Sequence, residues 1–226
     1  MTPHRVALYW TPPDASPLAE FAARWLGRDT LGRWVPPLRL GFDPAAWEAM
    51  TEAPRRYGFH ATLKAPFRLA ENASLEAVER AAEVLARQLS PLPLALTVEA
   101  LGAFLALRPV DPPDALAALA GRCVEALDRF RAPLTEAEIA KRGPNLSPRQ
   151  QEHLRRWGYP YVFDDFRLHL TLTGPLAEPI RADVLARLRA ALTPLLPPTA
   201  LLADLCLFIE PKPGEPLVLY RRIVLG

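Results

Sequence analysis

The segment Arg56-Tyr57-Gly58-Phe59-His60-Ala61-Thr62-Leu63-Lys64-Ala65-Pro66-Phe67 decides the reading of this chain, because its centre returns as His169-Leu170-Thr171-Leu172. The chain has four histidines, and two of them head this His-x-Thr-hydrophobic pattern. Side chains two apart on an extended chain point to one face. His60, Thr62 and Lys64 therefore share a face, and Phe59, Ala61 and Leu63 take the other. In the second copy Arg167, His169, Thr171 and Thr173 oppose Leu168, Leu170 and Leu172. Each segment is predicted to be a strand with one apolar face for a core and one polar face for chemistry.

The rest of the chain places these strands. Val6–Trp10 reads as a strand, and Ser16–Leu26 as a helix ended by Gly27. Asp43-Pro44 is an N-cap followed by proline at the first helical position, so Asp43–Met50 reads as a short helix. Gly58–Leu63 is the first motif strand, limited by Pro66. A helix from Ser74 to about Leu89 follows, then strands at Leu94–Val98 and Phe104–Arg108 and a helix over Asp114–Phe130. One further helix is expected from Ser147 to Trp157. Arg167–Thr173 is the second motif strand, followed by a helix at Ile180–Leu192 and strands at Leu202–Glu210 and Leu217–Val224. Motif strand, helix, then two strands recurs, as in a weak internal duplication. The expected class is α+β, with an antiparallel or mixed sheet and outer helices.

Two imidazoles and two hydroxyls suit in-line displacement at phosphorus. A neutral imidazole takes a proton from water while an imidazolium gives one to the leaving oxygen, and both forms exist near neutral pH. Thr62 and Thr171 would donate to the non-bridging oxygens as charge builds on them. Lys64 would balance the remaining negative charge. Arg56 and Tyr57 precede the first motif and would grip or stack on the substrate. Tyr161 and Thr173 flank the second, and Arg142, beside Gly143-Pro144, would reach over the cleft from a loop.

Composition narrows the class. A net charge of +2 argues against a broad non-specific nucleic-acid surface, though not against a local basic pocket. No apolar run nears the roughly 18 residues of a membrane span, and no signal peptide is read in the first residues, so a cytoplasmic protein without membrane contact is expected. Cys123 and Cys206 lie in apolar stretches and are expected to be buried, reduced thiols. No clustered His/Cys pattern appears, and neither a metal nor a cofactor is expected.

The paired motifs resemble the 2H phosphoesterase superfamily, named for its two histidines. The sequence around the first motif is similar to that of a bacterial subfamily associated with phosphonate metabolism, of the DUF1045 kind. So are Trp157-Gly158-Tyr159-Pro160-Tyr161-Val162-Phe163, Ala7-Leu8-Tyr9-Trp10-Thr11-Pro12-Pro13 and Leu146-Ser147-Pro148-Arg149-Gln150. The resemblance implies one bilobal domain over residues 1–226, with interleaved pseudo-symmetric lobes about a central cleft. It implies metal-independent catalysis, with His60 and His169 as the acid–base pair and Thr62 and Thr171 on the phosphate. The substrate it suggests is a small sugar cyclic phosphate such as a ribosyl 1,2-cyclic phosphate. The alternatives are an RNA 2′,3′-cyclic phosphodiesterase and a non-catalytic nucleotide- or RNA-binding module.

Overall fold

The alternation read along both motifs is realised in one sheet. The structure, a computed structural model, describes residues 2–142 and 145–226. Its strands are β1 (Arg5–Trp10), β2 (Ala61–Phe67), β3 (Leu92–Leu94), β4 (Leu96–Leu101), β5 (Phe104–Pro109), β6 (Leu170–Thr171), β7 (Ala200–Leu202), β8 (Asp204–Glu210) and β9 (Val218–Val224). Its helices are α1 (Pro17–Leu26), α2 (Pro44–Tyr57), α3 (Leu75–Ala86), α4 (Asp114–Asp128), α5 (Glu136–Arg142), α6 (Pro148–Trp157) and α7 (Ile180–Leu192). Seven strands run in the order β4-β5-β6-β2-β1-β8-β9, each antiparallel to its neighbours. β3 and β7 form a separate ribbon. The α+β class is as expected, and the sheet is antiparallel throughout rather than mixed.

One face of the sheet is the core. Phe59, Ala61, Leu63, Leu168, Leu170 and Leu172 are all buried there, among residues of α1, α2, α3, α4 and α7. Burying one such leucine is worth about 1.5–3 kcal/mol. These six positions therefore fix which way both motifs face, since a one-residue slip would turn the histidines inward. The opposite face carries the polar motif residues, with a small apolar cluster of Ala7, Tyr9, Cys206, Phe208 and Leu217 beside them. Both cysteines are buried and free. No helix among the described residues is long and apolar enough to cross a membrane.

The two halves of the sheet meet where the motifs meet. A single registered pair, Ala61 with Leu170, joins β2 to β6. Each is the middle residue of its His-x-Thr, so a local twofold axis passes between them and exchanges His60 with His169 and Thr62 with Thr171.

Helix α2 runs further than the sequence predicts, through Pro54 to Tyr57. Proline has no N–H, so Pro54 leaves the carbonyl of Met50, four residues back, without its helical partner. That carbonyl accepts from the backbone N–H of Gly174 at 2.7 Å, just past the second motif. The gap in the helix ladder thus anchors the second motif segment. Two tryptophans complete the tie: Trp25 Nε1 donates to Leu172 O at 2.8 Å, and Trp47 Nε1 donates to Trp25 O at 2.8 Å.

Other differences are local. The second motif strand is only Leu170–Thr171, because Arg167–His169 make their contacts through side chains rather than a ladder. Strand β2 continues through Pro66 to Phe67 instead of ending before it. Helix α5 lies where the sequence predicts no element, and the β3–β7 ribbon takes up Leu94 and Leu202, expected as the first residues of longer strands. Helix α6 is as predicted, opened by a capping box of Ser147 and Gln150 and closed by Gly158 at φ 76°. A side chain at Gly158 would be strained by that φ and would press on Arg131, its Cβ within 2.8 Å.

Candidate active site

The register at Ala61 and Leu170 places the four motif side chains. Partner indices fall by one for each residue of advance in an antiparallel pair. Continued one residue each way, this register sets His60 across from Thr171 and Thr62 across from His169, although the histidines themselves lie just before the paired strands, which begin at Ala61 and Leu170 rather than at Gly58 and Arg167. The histidines occupy diagonal positions, which stand about 7–8 Å apart on neighbouring strands. One phosphate between the rings can take a hydrogen bond from each side at that spacing.

Both rings are held the same way. His60 Nδ1 is 2.9 Å from Gly58 O, and His169 Nδ1 is 2.7 Å from Arg167 O, each two residues back. A carbonyl only accepts, so each Nδ1 carries a proton and each neutral ring presents a bare Nε2. Thr62 Oγ1 lies 3.2 Å from His60 Nε2 and donates to it. Tyr9 stacks on His60, with centroids 3.8 Å apart and planes at 24°, which fixes the ring plane. Phe104 packs against His169 at 5.7 Å.

Two cavities open over this face. One of about 430 Å³ is lined by Thr62, His169, Arg167, Phe104, Tyr159 and Tyr161, among others. The other, about 250 Å³, includes His60, Thr171, Tyr57, Phe104 and Pro175. Each cavity thus holds a histidine of one strand with the threonine of the other, and Phe104 borders both. Among the described residues no three His, Cys, Asp or Glu side chains converge on one point.

The family described as "Protein of unknown function (DUF1045)" matches residues 62–218. The chain belongs to the DUF1045 family. Two curated relatives bear the name ribose 1,5-bisphosphate phosphokinase PhnN. That of Laribacter hongkongensis is 40% identical over 224 residues, covering 97% of this chain and 51% of its own length. That of a Janthinobacterium species is 40% identical over 228 residues, covering 97% and 50%. The chain spans about half the length of the curated relatives it matches. Among solved structures, Escherichia coli LigT in its apo form aligns over 100% of this chain and 99% of its own, with TM-score 0.49 and 17% identity. A crystal structure named only as a phosphoesterase covers 99% of each chain, with TM-score 0.42 and 16% identity.

This DUF1045 chain brings His60, Thr62, His169 and Thr171 together as the motifs predict. Tyr57 and Tyr161 also line the cavities. Four other expected site residues make contacts elsewhere in the structure. Lys64 is 3% exposed and bonds Asp128 Oδ1 at 2.8 Å, with the carbonyls of Val124 and Trp157 at 3.3 and 3.5 Å. Its three donors are spent there, away from the cavities. Burial pulls its ammonium down to about 8, with the Asp128 bond opposing. Arg56 lines neither cavity and reaches the buried carboxylate of Glu210 at 3.4 Å. Arg142 ends α5 and donates to Gly158 O at 2.6 Å; its expected loop partners Gly143-Pro144 lie outside the described residues. Thr173 borders the smaller cavity but is fully buried, its Oγ1 accepting from Leu105 N at 3.0 Å.

Three residues beyond the motifs shape the pair. Tyr9 and Phe104 come from neighbouring strands, and only strand order reveals them. Arg28 is 7% exposed and gives its donors to backbone carbonyls: Asp29 at 3.1 Å, Arg55 at 3.1 Å, Arg56 at 3.4 Å and Leu217 at 2.6 Å. It thereby caps the C-terminal end of α2, where carbonyl dipoles attract a cation. This fixes the turn whose Gly58 carbonyl holds His60.

The electrostatics favour neutral rings. Burial lowers His60 to about 4; the Gly58 bond opposes, and the charges of His169 and Arg28 push further down. His169 is also lowered, by burial first and then by Arg108, against the bond to Arg167 O. The unfolded chain takes up a proton at His60 as pH falls through 6.5, while the folded chain resists until about 4. Stability is therefore intact above about pH 6.5 and falls between that pH and about 4, by up to about 3 kcal/mol. Denaturant titrations at pH 7, 5 and 4 check this, and His60→Asn should flatten the slope. An equal slope in wild type and variant would assign the effect elsewhere.

Proposed function

We propose that this chain is a metal-independent cyclic phosphodiesterase of the 2H phosphoesterase type. The observation that carries the reading is the pair of histidines on neighbouring strands, each with Nδ1 held by a carbonyl two residues back and each lining a cavity with the threonine of the other motif. One imidazole takes a proton from water as its oxygen bonds to phosphorus. The phosphorus–oxygen ring bond breaks on the opposite side, and the second imidazole, whose protonated form is favoured once the anionic phosphate lies against it, delivers a proton to the leaving sugar oxygen. Thr62 and Thr171 donate to the non-bridging oxygens, where charge builds. A monoester and a free hydroxyl result, and the two rings have exchanged protonation states.

For the substrate we propose a ribosyl 1,2-cyclic phosphate formed in phosphonate breakdown. The name of the relatives supports this. Opening the bond from phosphorus to O2 leaves the phosphate on C1. If C5 also carries a phosphate, the product is ribose 1,5-bisphosphate, the compound in that name. The sequence contains no Gly-Lys pair, so the P-loop that cradles phosphates in many kinases has no counterpart here. We place the reaction in the cytoplasm, in keeping with two buried free thiols.

Purified protein should convert ribose 5-phosphate 1,2-cyclic phosphate to ribose 1,5-bisphosphate in buffer containing a chelator, followed by phosphorus NMR. No turnover of that compound, with ready opening of a nucleoside 2′,3′-cyclic phosphate, would transfer the reading to an RNA-end enzyme. The aromatic walls Phe104, Tyr159 and Tyr161 would then serve a base.

A further inference from the structure

We propose that Arg167 binds a second, non-reacting phosphate of the substrate, a phosphomonoester on the same sugar whose cyclic phosphate lies between the histidines. This rests on the reading of the histidines as a cyclic phosphodiesterase pair. Arg167 and Asp165 are the only charged side chains among the residues lining the two cavities, the histidines apart. The Asp165 carboxylate is already matched: Arg149 donates to it at 2.8 and 3.1 Å, and Gln150 at 3.2 Å. Arg167 is thus the cation this cleft offers to a ligand.

Its guanidinium is held ready. Nη1 donates to Asp164 O at 3.0 Å and to Phe166 O at 2.6 Å. These bonds pin the plane through one nitrogen and leave the edge formed by Nε and Nη2 with no partner among the described residues. That edge is the fork that matches two oxygens of a phosphate. No carboxylate forms an ion pair with Arg167 among the described residues, and the side chain is exposed. Pinning before binding reduces the ordering cost.

The spacing suits one sugar. Arg167 precedes His169 by two residues, roughly 6–7 Å of extended chain. A pentose with its cyclic phosphate at one end of the ring and a phosphate on the exocyclic carbon at the other spans a similar length. Tyr159 and Tyr161 line the same cavity and pack edge to face at 5.6 Å, giving the site an aromatic wall.

The test compares kcat/KM for ribose 5-phosphate 1,2-cyclic phosphate and for ribose 1,2-cyclic phosphate, in wild type, Arg167→Gln and Arg167→Lys. Wild type should prefer the first by about 100-fold or more, the size of a bidentate charge-assisted pair. Arg167→Gln should bring the ratio to within a few fold, and Arg167→Lys should fall between. No preference in wild type, or an unchanged ratio in Arg167→Gln, overturns the site. If neither compound is hydrolysed, the catalytic reading fails, and calorimetry with ribose 5-phosphate decides the site separately. Binding that weakens about tenfold or more in Arg167→Gln upholds it. Equal binding, or none to wild type, overturns it.

Discussion

Alanine in place of either His60 or His169 should lower turnover of the cyclic phosphate by about 10³-fold or more. Each proton transfer contributes typically 10²–10⁴-fold, and among the described residues each cavity is lined by one histidine alone, with no second imidazole to replace it. The double variant should fall little below the worse single one, because the two transfers serve one displacement. The fold should survive, since both rings sit on the cavity face of the sheet, outside the main core. Single-turnover rates with melting curves of the same samples check this. Rates within tenfold of wild type in a folded double variant would remove the acid–base mechanism and favour a binding module.

Asp128→Ala should cost about 3–5 kcal/mol of stability, the usual penalty for leaving a buried charge without its partner. Asp128 receives Lys64 and Arg131, both at 2.8 Å, and Arg156 at 3.5 Å. Burial alone would raise its carboxyl, but these bonds outweigh it and hold the group low. Without Asp128, Lys64 keeps a charge in a site 3% exposed. The penalty should shrink as pH rises, because burial already pulls the Lys64 ammonium down to about 8 with Asp128 beside it, and without that carboxylate the amine sheds its proton more readily still. Lys64→Met combined with Asp128→Leu should recover most of the loss, because a well-packed apolar pair replaces a buried ion pair at little cost. Urea titrations of the three variants at pH 7 and 9 measure this. A loss below about 1 kcal/mol for Asp128→Ala would mean that the pair is solvated.

Alternation made both motif faces legible: the six apolar positions are in the core and the four His and Thr side chains are on the far face. Alternation failed at Lys64 because the β1–β2 register shifts twice between Val6 and Tyr9, and such bulges break the period of two. Its partner stands 64 residues further on, beyond any local pattern. The contact of Arg56 was hidden for a similar reason, since the buried Glu210 comes from β8. The extension of α2 was hidden because Pro54 looks like a stop, and only the bond from Gly174 to Met50 O explains why the helix continues. The carbonyl bonds that fix the rings lie two residues before each histidine, but nothing in the residue types announces them.

The local twofold between Ala61 and Leu170 gives the two imidazoles matching backbone settings, so on the proposed mechanism the motif backbone by itself sets no direction for ring opening. On that mechanism the product isomer would be set by walls that the symmetry does not relate: Arg167, Tyr159 and Tyr161 in one cavity, Tyr57 and Pro175 in the other. Exchange of wall residues can therefore invert the product ratio while the rate-giving groups stay untouched. In this fold, regiochemistry and rate are free to evolve on separate residues.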